Sequence, residues 1–428
     1  SQDVQGEAFD YPEIFFEEKI HIIRRIHPDP RQLNEAAEKL KLSKQPIIIA
    51  GGGILYSEAE KELSDFAKKH NIPVTPTVMG IGCMTKDDPY YIGAIGCLGE
   101  GSSNSLSKDT DLALAIGTKL GDFTTGSWSN FQNEDFKLVS INTARFDVTK
   151  HLATPVISDA KIGLLELSKA LGDWRAPNNW YERSIDERKK WDSYVEKQSG
   201  PTNQELPSYA HAVGAVYRNA DPSDIVVTAA GGLVGEVVQI WKPKELNTFE
   251  TEWGFSCMGY EISGALGIKM AKPDQDVIVF VGDGSYLLHN SDIYSSVLYD
   301  KKLIIVVCDN GGHMVINRLQ LAKGGKEYLC NLKEARATNL QFVDFEAHAK
   351  SMGANGETVT STSELEAAFK RAKKSEKTYV ISIKTHGYEW LDGTAFWESP
   401  TLEVHSTAEN KQAYEEFLAG KKDQRKGV

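Results

Sequence analysis

The sequence predicts an α/β protein built from two doubly wound parallel-sheet domains. Three observations carry that reading. Residues 277–281 (VIVFV) and 303–308 (LIIVVC) are short β-branched runs, each stopping at a polar glycine-rich turn, with a helical stretch between them. This is the pattern of one βαβ unit. A similar run at 46–50 (PIIIA) is broken by Gly51, Gly52 and Gly53 and opens a series of alternating helical and strand segments. Finally, a chain of 428 residues with 41% apolar and 25% charged residues has the composition of a globular protein with two or three cores.

Taken in order, residues 1–30 read as a connector leaving an upstream domain, without an initiator Met or a signal-peptide pattern. The first α/β domain is expected at 31–172. Leu33, Ala36, Ala37 and Leu40 fall at helix spacing within 32–42, and 46–50 is a buried strand. Ser57 with Glu60 predicts a capping box for a helix running to His70. Strands follow at 73–75, 112–116 and 138–142, then a helix at 159–171, in a sheet of the six-stranded style. The glycine triplet lacks GxGxxG spacing and an acid at the next strand end, so it reads as a tight βα turn.

Residues 173–206 form a linker with a helical centre at 179–197, in which Trp174, Trp180 and Trp191 are expected to lie as lids on domain surfaces. The second domain, 207–400, starts with a helix at 209–218. A strand at 225–228 then ends at Ala229, Ala230, Gly231 and Gly232. The stretch EWGFSCMGYE (252–261) leads into a helix carrying Ser263, Gly264 and Gly267, small residues that allow close backbone approach. After the βαβ unit come strands near Phe342 and at 379–384, and the tail 401–428 reads as polar and helical.

The chemistry concentrates where the βαβ unit turns. Its two strands point the same way, so both turns emerge at the carboxyl edge of the sheet. Gly282, Asp283 and Gly284 then face Asp309, Asn310, Gly311 and Gly312. A carboxylate, an amide oxygen and nearby carbonyls are hard donors that suit magnesium, which commonly brings phosphate oxygens with it. A lone Gly-Asp-Gly is an ordinary surface turn. Its pairing with Asn310 after the next strand is what marks a site.

Composition narrows the partners. A net charge of −12 argues against nucleic acid, whose phosphates need a basic face. No apolar stretch approaches the length of a membrane span. Cys83, Cys97, Cys257, Cys308 and Cys330 form no CxxC pair and no even framework, so reduced cytoplasmic thiols are expected.

The Asp283 and Asn310 pairing resembles the signature of thiamine diphosphate enzymes of the acetolactate synthase and pyruvate oxidase superfamily. The resemblance implies Mg²⁺ held by Asp283, Asn310 and the Gly312 carbonyl, with the cofactor diphosphate completing the sphere. Many members carry two asparagines where this chain has Asp309 and Asn310. Met258 stands 25 residues before Asp283, where relatives place an apolar residue that wedges between the two cofactor rings and bends the molecule. By the same resemblance, backbone groups at Ser256, Cys257 and Met258 meet the aminopyrimidine. The turns with Ala230, Gly231, Gly232, Gly282, Gly284 and Ser285 line the rest of the cofactor. Residues 31–172 correspond to a middle domain that holds FAD in some members and nothing in others; FAD is not favoured here.

The stretches TEWGFSCMGYEISGALGIKMA, GDGSYLL, INTARFDVTKH and QDVQGEAFDYP are similar to the branch that opens cyclic 1,2-diones in myo-inositol breakdown. That implies hydrolytic C–C cleavage of a polyhydroxylated cyclohexane-1,2-dione to 5-deoxyglucuronate by a homo-oligomer, dimer or tetramer. The loop GGHMVINRLQ departs from the pattern, since relatives more often carry an aromatic where this chain has His313. Glu261, His289 and His313 are the candidate catalytic side chains, against the commoner structural roles of a Glu that begins a helix and a His within one. The activating glutamate of such enzymes belongs to an N-terminal domain supplied across a dimer interface, so the chain by itself is expected to be inactive. The metal motif alone does not separate this branch from 2-oxoacid decarboxylases, acetolactate synthases or malonate semialdehyde oxidative decarboxylases. A catalytically silent cofactor-binding fragment would carry it too.

Overall fold

A computed structural model describes residues 1–425. The first sheet is all parallel and has five strands, not the six expected: β1 (Pro46–Ala50), β2 (Val74–Pro76), β3 (Leu112–Ile116), β4 (Lys137–Asn142) and β5 (Thr154–Ile157), in the order β2-β1-β3-β4-β5. The sequence reading missed β5 because Pro155 interrupts its run. At an edge one side of the strand needs no ladder, and proline is tolerated there.

The second sheet has six parallel strands: β6 (Ile225–Thr228), β7 (Phe249–Thr251), β8 (Val277–Gly282), β9 (Ile304–Asp309), β10 (Asn355–Val359) and β11 (Tyr379–Lys384), in the order β10-β11-β9-β8-β6-β7. Helices cover both faces, so the central strands are buried on both sides and read as unbroken apolar runs. The edge strands β7 and β10 are short and polar, and neither was foreseen. Phe342, expected in a strand, is exposed and lies outside one; the helix Phe345–Ser351 follows it, and β10 comes after that helix.

Two further expectations are corrected. Ser57 does not cap the helix Glu60–His70, which begins at Ala59 without a side-chain cap. Its hydroxyl donates instead to Asp159 Oδ2 at 2.9 Å, tying two turns of the first sheet together. Trp180 and Trp191 are not surface lids. They lie buried on the helix Asn178–Gln198, where the Trp180 indole N–H donates to the Pro46 carbonyl at 2.8 Å. Trp191 fills the gap between Gly101 and Gly393, so close that a Cβ on Gly393 would stand 2.5 Å from the ring.

The two domains are tied by polar contacts as well as by this helix. Gln239 Nε2 donates to the Gly99 carbonyl at 2.8 Å, and Lys242 Nζ lies 3.3 Å from the buried Glu100 carboxylate. Among the described residues no helix is long and apolar enough to cross a membrane.

At the carboxyl edge of the first sheet, between β1 and β3, is a cavity of about 860 Å³ whose lining includes Gly52, Tyr56, Lys119, Phe123 and, from the second domain, Trp253. In the glycine triplet, the Gly51 N–H donates to the Ile116 carbonyl at 2.8 Å and the Gly53 N–H to the Gly117 carbonyl at 3.0 Å. A Cβ on Gly51 or Gly53 would overlap the Gly117 backbone, so these two glycines serve close packing of two turns.

Candidate functional site

The carboxyl ends of β9, β8 and β6 lie side by side, and the winding of the sheet reverses between β6 and β8. Open α/β sheets bind ligands in the crevice at such a reversal. Register pairs Gly282 with Cys308, so Asp283 and Asp309 leave the sheet as neighbours. Asp283 is buried, and burial together with the Asp309 charge pushes its carboxyl up to about 6 against the N–H groups of Gly312 and Gly284. Asp309 is already occupied. Lys384, aligned with it on β11, pairs with Oδ2, and the Gly311 N–H donates to Oδ1 at 3.0 Å.

Asn310 is oriented by a partner the sequence did not reveal. Its Nδ2 donates to Tyr209 Oη at 2.6 Å, which leaves Oδ1 buried without a partner. A buried acceptor left unpaired costs about 1–3 kcal/mol. A cation shared by Asn310 Oδ1 and Asp283 would remove that cost and the repulsion between Asp283 and Asp309. Among the described residues no group of three His, Cys, Asp or Glu side chains could hold a metal. The available set is a carboxylate, an amide oxygen and a main-chain carbonyl, which suits a hard ion such as Mg²⁺ better than a soft one. Gly312 completes the turn with φ at +144°, where a Cβ would overlap the Cys330 carbonyl oxygen.

The other expected cofactor residues surround this turn. Ala230, Gly231 and Gly232 follow β6; Gly231 has φ +78°, and Gly232 lies under the Trp390 ring with no room for a Cβ. Gly282, Gly284 and Ser285 bracket Asp283 where the helix Asp283–Leu288 begins. Ser256, Cys257 and Met258 lie in a loop held from below by Glu252, whose carboxylate accepts the N–H of Phe255 at 2.8 Å and of Cys257 at 2.7 Å. The clamp supports Ser256 at φ +53° and brings Met258 to the turn of Asp283. The Met258 ε-methyl stands 3.6 Å from the place a Cβ on Gly284 would occupy.

The three candidate catalytic side chains take different positions. His313 approaches Gly284, its Cε1 2.6 Å from the place of a Gly284 Cβ. His289 packs its Cβ against Gly259, and its Nε2 lies 3.3 Å from Asp292 Oδ2. Both histidines therefore rim the space around Met258 and Gly284. Glu261 is buried beneath it, with one oxygen accepting the Ala230 N–H at 3.2 Å and the other the Gly259 N–H at 2.7 Å.

Tyr209, Lys384 and Trp390 escaped the sequence reading, which considers Glu252 only as an alternative activating acid. Lys384 carried a signal, since it ends the apolar run of 379–384; using it required knowing that β11 lies beside β9. Trp390 is held by Glu236, a buried carboxylate that accepts the Leu391 N–H at 3.0 Å. Burial pushes the Glu236 carboxyl up to about 7, against that N–H and Arg318, which both act to lower it. The folded chain thus keeps a proton that the unfolded chain releases in the ordinary carboxylate range. Stability falls as pH rises through that window, by roughly 3 kcal/mol in all. Glu236→Gln is expected to melt like the parent at pH 4 and at higher temperature than the parent at pH 8. Equal melting curves at pH 8 would refute this.

Comparison with known proteins gives two family matches. Residues 33–167 match the central domain of thiamine pyrophosphate enzymes, and residues 229–383 match their C-terminal TPP-binding domain. Among curated proteins, the chain is 34% identical over 97% of its length to a protein from Bacillus anthracis (strain CDC 684 / NRRL 3495) named 3D-(3,5/4)-trihydroxycyclohexane-1,2-dione hydrolase, 69% of which is covered. It is 35% identical, with the same coverage, to 3D-(3,5/4)-trihydroxycyclohexane-1,2-dione hydrolase 2 of Bacillus cereus (strain ZK / E33L). A relative of the same name from Bacillus thuringiensis (strain Al Hakam) is 34% identical.

Proposed function

The chain belongs to the family of thiamine pyrophosphate enzymes, and from that premise we propose that it serves the Mg²⁺-dependent hydrolytic cleavage of a cyclic 1,2-dione. The observation that carries the cofactor reading is the unpartnered Asn310 Oδ1 beside the desolvated Asp283 at the reversal of the second sheet. The dione follows from the relatives, whose likeness extends over nearly the whole chain. In this reading Asp283, Asn310 and the Gly312 carbonyl hold Mg²⁺. Ala230, Gly231, Gly232, Gly282, Gly284 and Ser285 line the diphosphate, and Ser256, Cys257 and Met258 support the rings. Bound thiamine diphosphate supplies a nucleophilic carbon able to break a bond next to a carbonyl.

In the net reaction the bond between the two carbonyl carbons breaks. Water gives its hydroxyl to one carbon and a hydrogen to the other, so the ring becomes an open-chain aldehyde acid. In this reading His313, beside Gly284, and His289, beside Gly259, serve the hydroxyl groups of a polyol ring. A substrate screen that scores ring opening against CO₂ release, run on the chain together with the segment that supplies the activating glutamate, tests the reading. Decarboxylation of 2-oxoacids without ring opening would replace it with a decarboxylase.

Met258 acts through shape in this proposal. In a complete enzyme that includes the activating glutamate, Met258→Ala is expected to lower turnover about 100-fold, the scale of a misplaced reacting group, with little change in Mg²⁺-dependent cofactor binding. Because Met258 is 37% exposed, its truncation should cost less stability than the ~2–5 kcal/mol of a buried methionine. A parallel loss of affinity and turnover would instead mark a core residue.

We also propose that the chain by itself does not turn over. Glu252 and Glu261 are the acids next to the ring-supporting loop, and both have their oxygens committed to backbone N–H groups. Neither is free to serve the aminopyrimidine, so a glutamate from another segment is required. Steady-state turnover of the chain with saturating thiamine diphosphate and Mg²⁺ is the test, and substantial activity would overturn this part.

A further inference from the structure

We propose that Glu261 is a positioning residue that holds two turns of the cofactor cradle in register. The proposal rests on reading that cradle as the thiamine diphosphate site. The turns belong to different elements: one follows β6, and one opens the helix Tyr260–Ala271. The Glu261 carboxylate reaches both. One oxygen accepts the Ala230 N–H and the other the Gly259 N–H.

Each of these partners is adjacent in sequence to a proposed ligand contact: Ala230 precedes Gly231 and Gly232, and Gly259 follows Met258. Side-chain exposure is negligible, and burial would leave the carboxylate strongly disfavoured without these donors. A carboxylate is the side chain this geometry needs, because both of its oxygens accept. Glutamine can serve one N–H, but its own NH₂ then opposes the other. The strands beneath the turns are held by the sheet ladder and do not depend on Glu261. Its loss should therefore uncouple the turns from one another while leaving the sheet intact.

The test uses the full chain and has two readouts. In Glu261→Gln, the amide protons of Ala230 and Gly259 are expected to exchange faster with solvent while those of β8 and β9 keep their protection. The Kd for thiamine diphosphate at fixed Mg²⁺ should rise about tenfold, the scale of one buried group left unpaired. An unchanged Kd would overturn the proposal. So would loosening that spreads through β8 and β9, which would make Glu261 a general core residue.

If Glu261→Gln does not fold, the wild-type chain decides. Its Ala230 and Gly259 amides must be as protected as the helix Tyr260–Ala271, and rapid exchange there would overturn the link. A wild-type chain that binds no thiamine diphosphate with Mg²⁺ would count against the cofactor reading. The amide pattern of Glu261→Gln would still test the coupling of the turns.

Discussion

Asp283→Ala is expected to abolish Mg²⁺-dependent binding of thiamine diphosphate while leaving the fold intact. The argument is electrostatic. Asp283 is buried at the end of β8 beside Asp309, whose own carboxylate is taken by Lys384 and the Gly311 N–H. Asp283 is thus the one charged oxygen donor that can face Asn310 Oδ1 in this turn. Loss of groups that merely orient metal ligands commonly costs about 10–100-fold in affinity. Removal of a charged ligand should exceed that range.

Without metal the substitution removes a desolvated carboxylate from beside a second one, so the melting temperature should hold or rise. A residue needed only for packing would behave in the opposite way. Asp283→Asn separates charge from shape, since it keeps the size and one side-chain oxygen but lacks the charge. It should fail with Asp283→Ala. Titration calorimetry at fixed Mg²⁺ measures both, and an unchanged Kd in either variant would remove Asp283 from the metal site.

The sequence showed the central strands plainly and the edges poorly, for one reason. β8, β9 and β11 are buried on both faces through their middles and are largely apolar there. β5, β7 and β10 each have a free edge or a polar face, so Pro155, Glu250 and Asn355 stand where an apolar run would be needed to reveal a strand. The closeness of Asp283 and Asn310 was legible because each directly follows or nearly follows an apolar run, and strand direction alone puts them on one edge. Their supports were not. Tyr209 is 101 residues from Asn310, and Lys384 is 75 from Asp309; both contacts depend on strand order, which local pattern does not encode. Glu261 shows the converse limit. The sequence could place it near the cofactor loop, but only the folded structure shows that its oxygens are already bound to backbone.

The turn should be as sensitive to shape as to charge, and Gly312→Ala is the variant that shows it. Gly312 has φ +144°, a conformation that side chains rarely adopt, and strain of this kind costs about 1–3 kcal/mol. The added methyl would also overlap the Cys330 carbonyl oxygen. That oxygen is backbone and cannot rotate aside. It already accepts the His313 N–H at 2.8 Å, while Leu332 N–H donates to the Gly311 carbonyl at 2.9 Å. These bonds stitch the metal turn to residues 330–332, so relief of the overlap must shift the turn itself. The proposed Gly312 ligand oxygen and Asn310 would then move relative to Asp283, and Mg²⁺-dependent binding should fall about as far as in Asp283→Ala. Gly311 provides the control. It has φ +79° and nothing within 4 Å of its missing Cβ, and asparagine tolerates the left-handed region. Gly311→Asn should therefore retain binding. Wild-type affinity in Gly312→Ala, or equal losses in the two variants, would show that the shape of the 310–313 turn does not set the metal site.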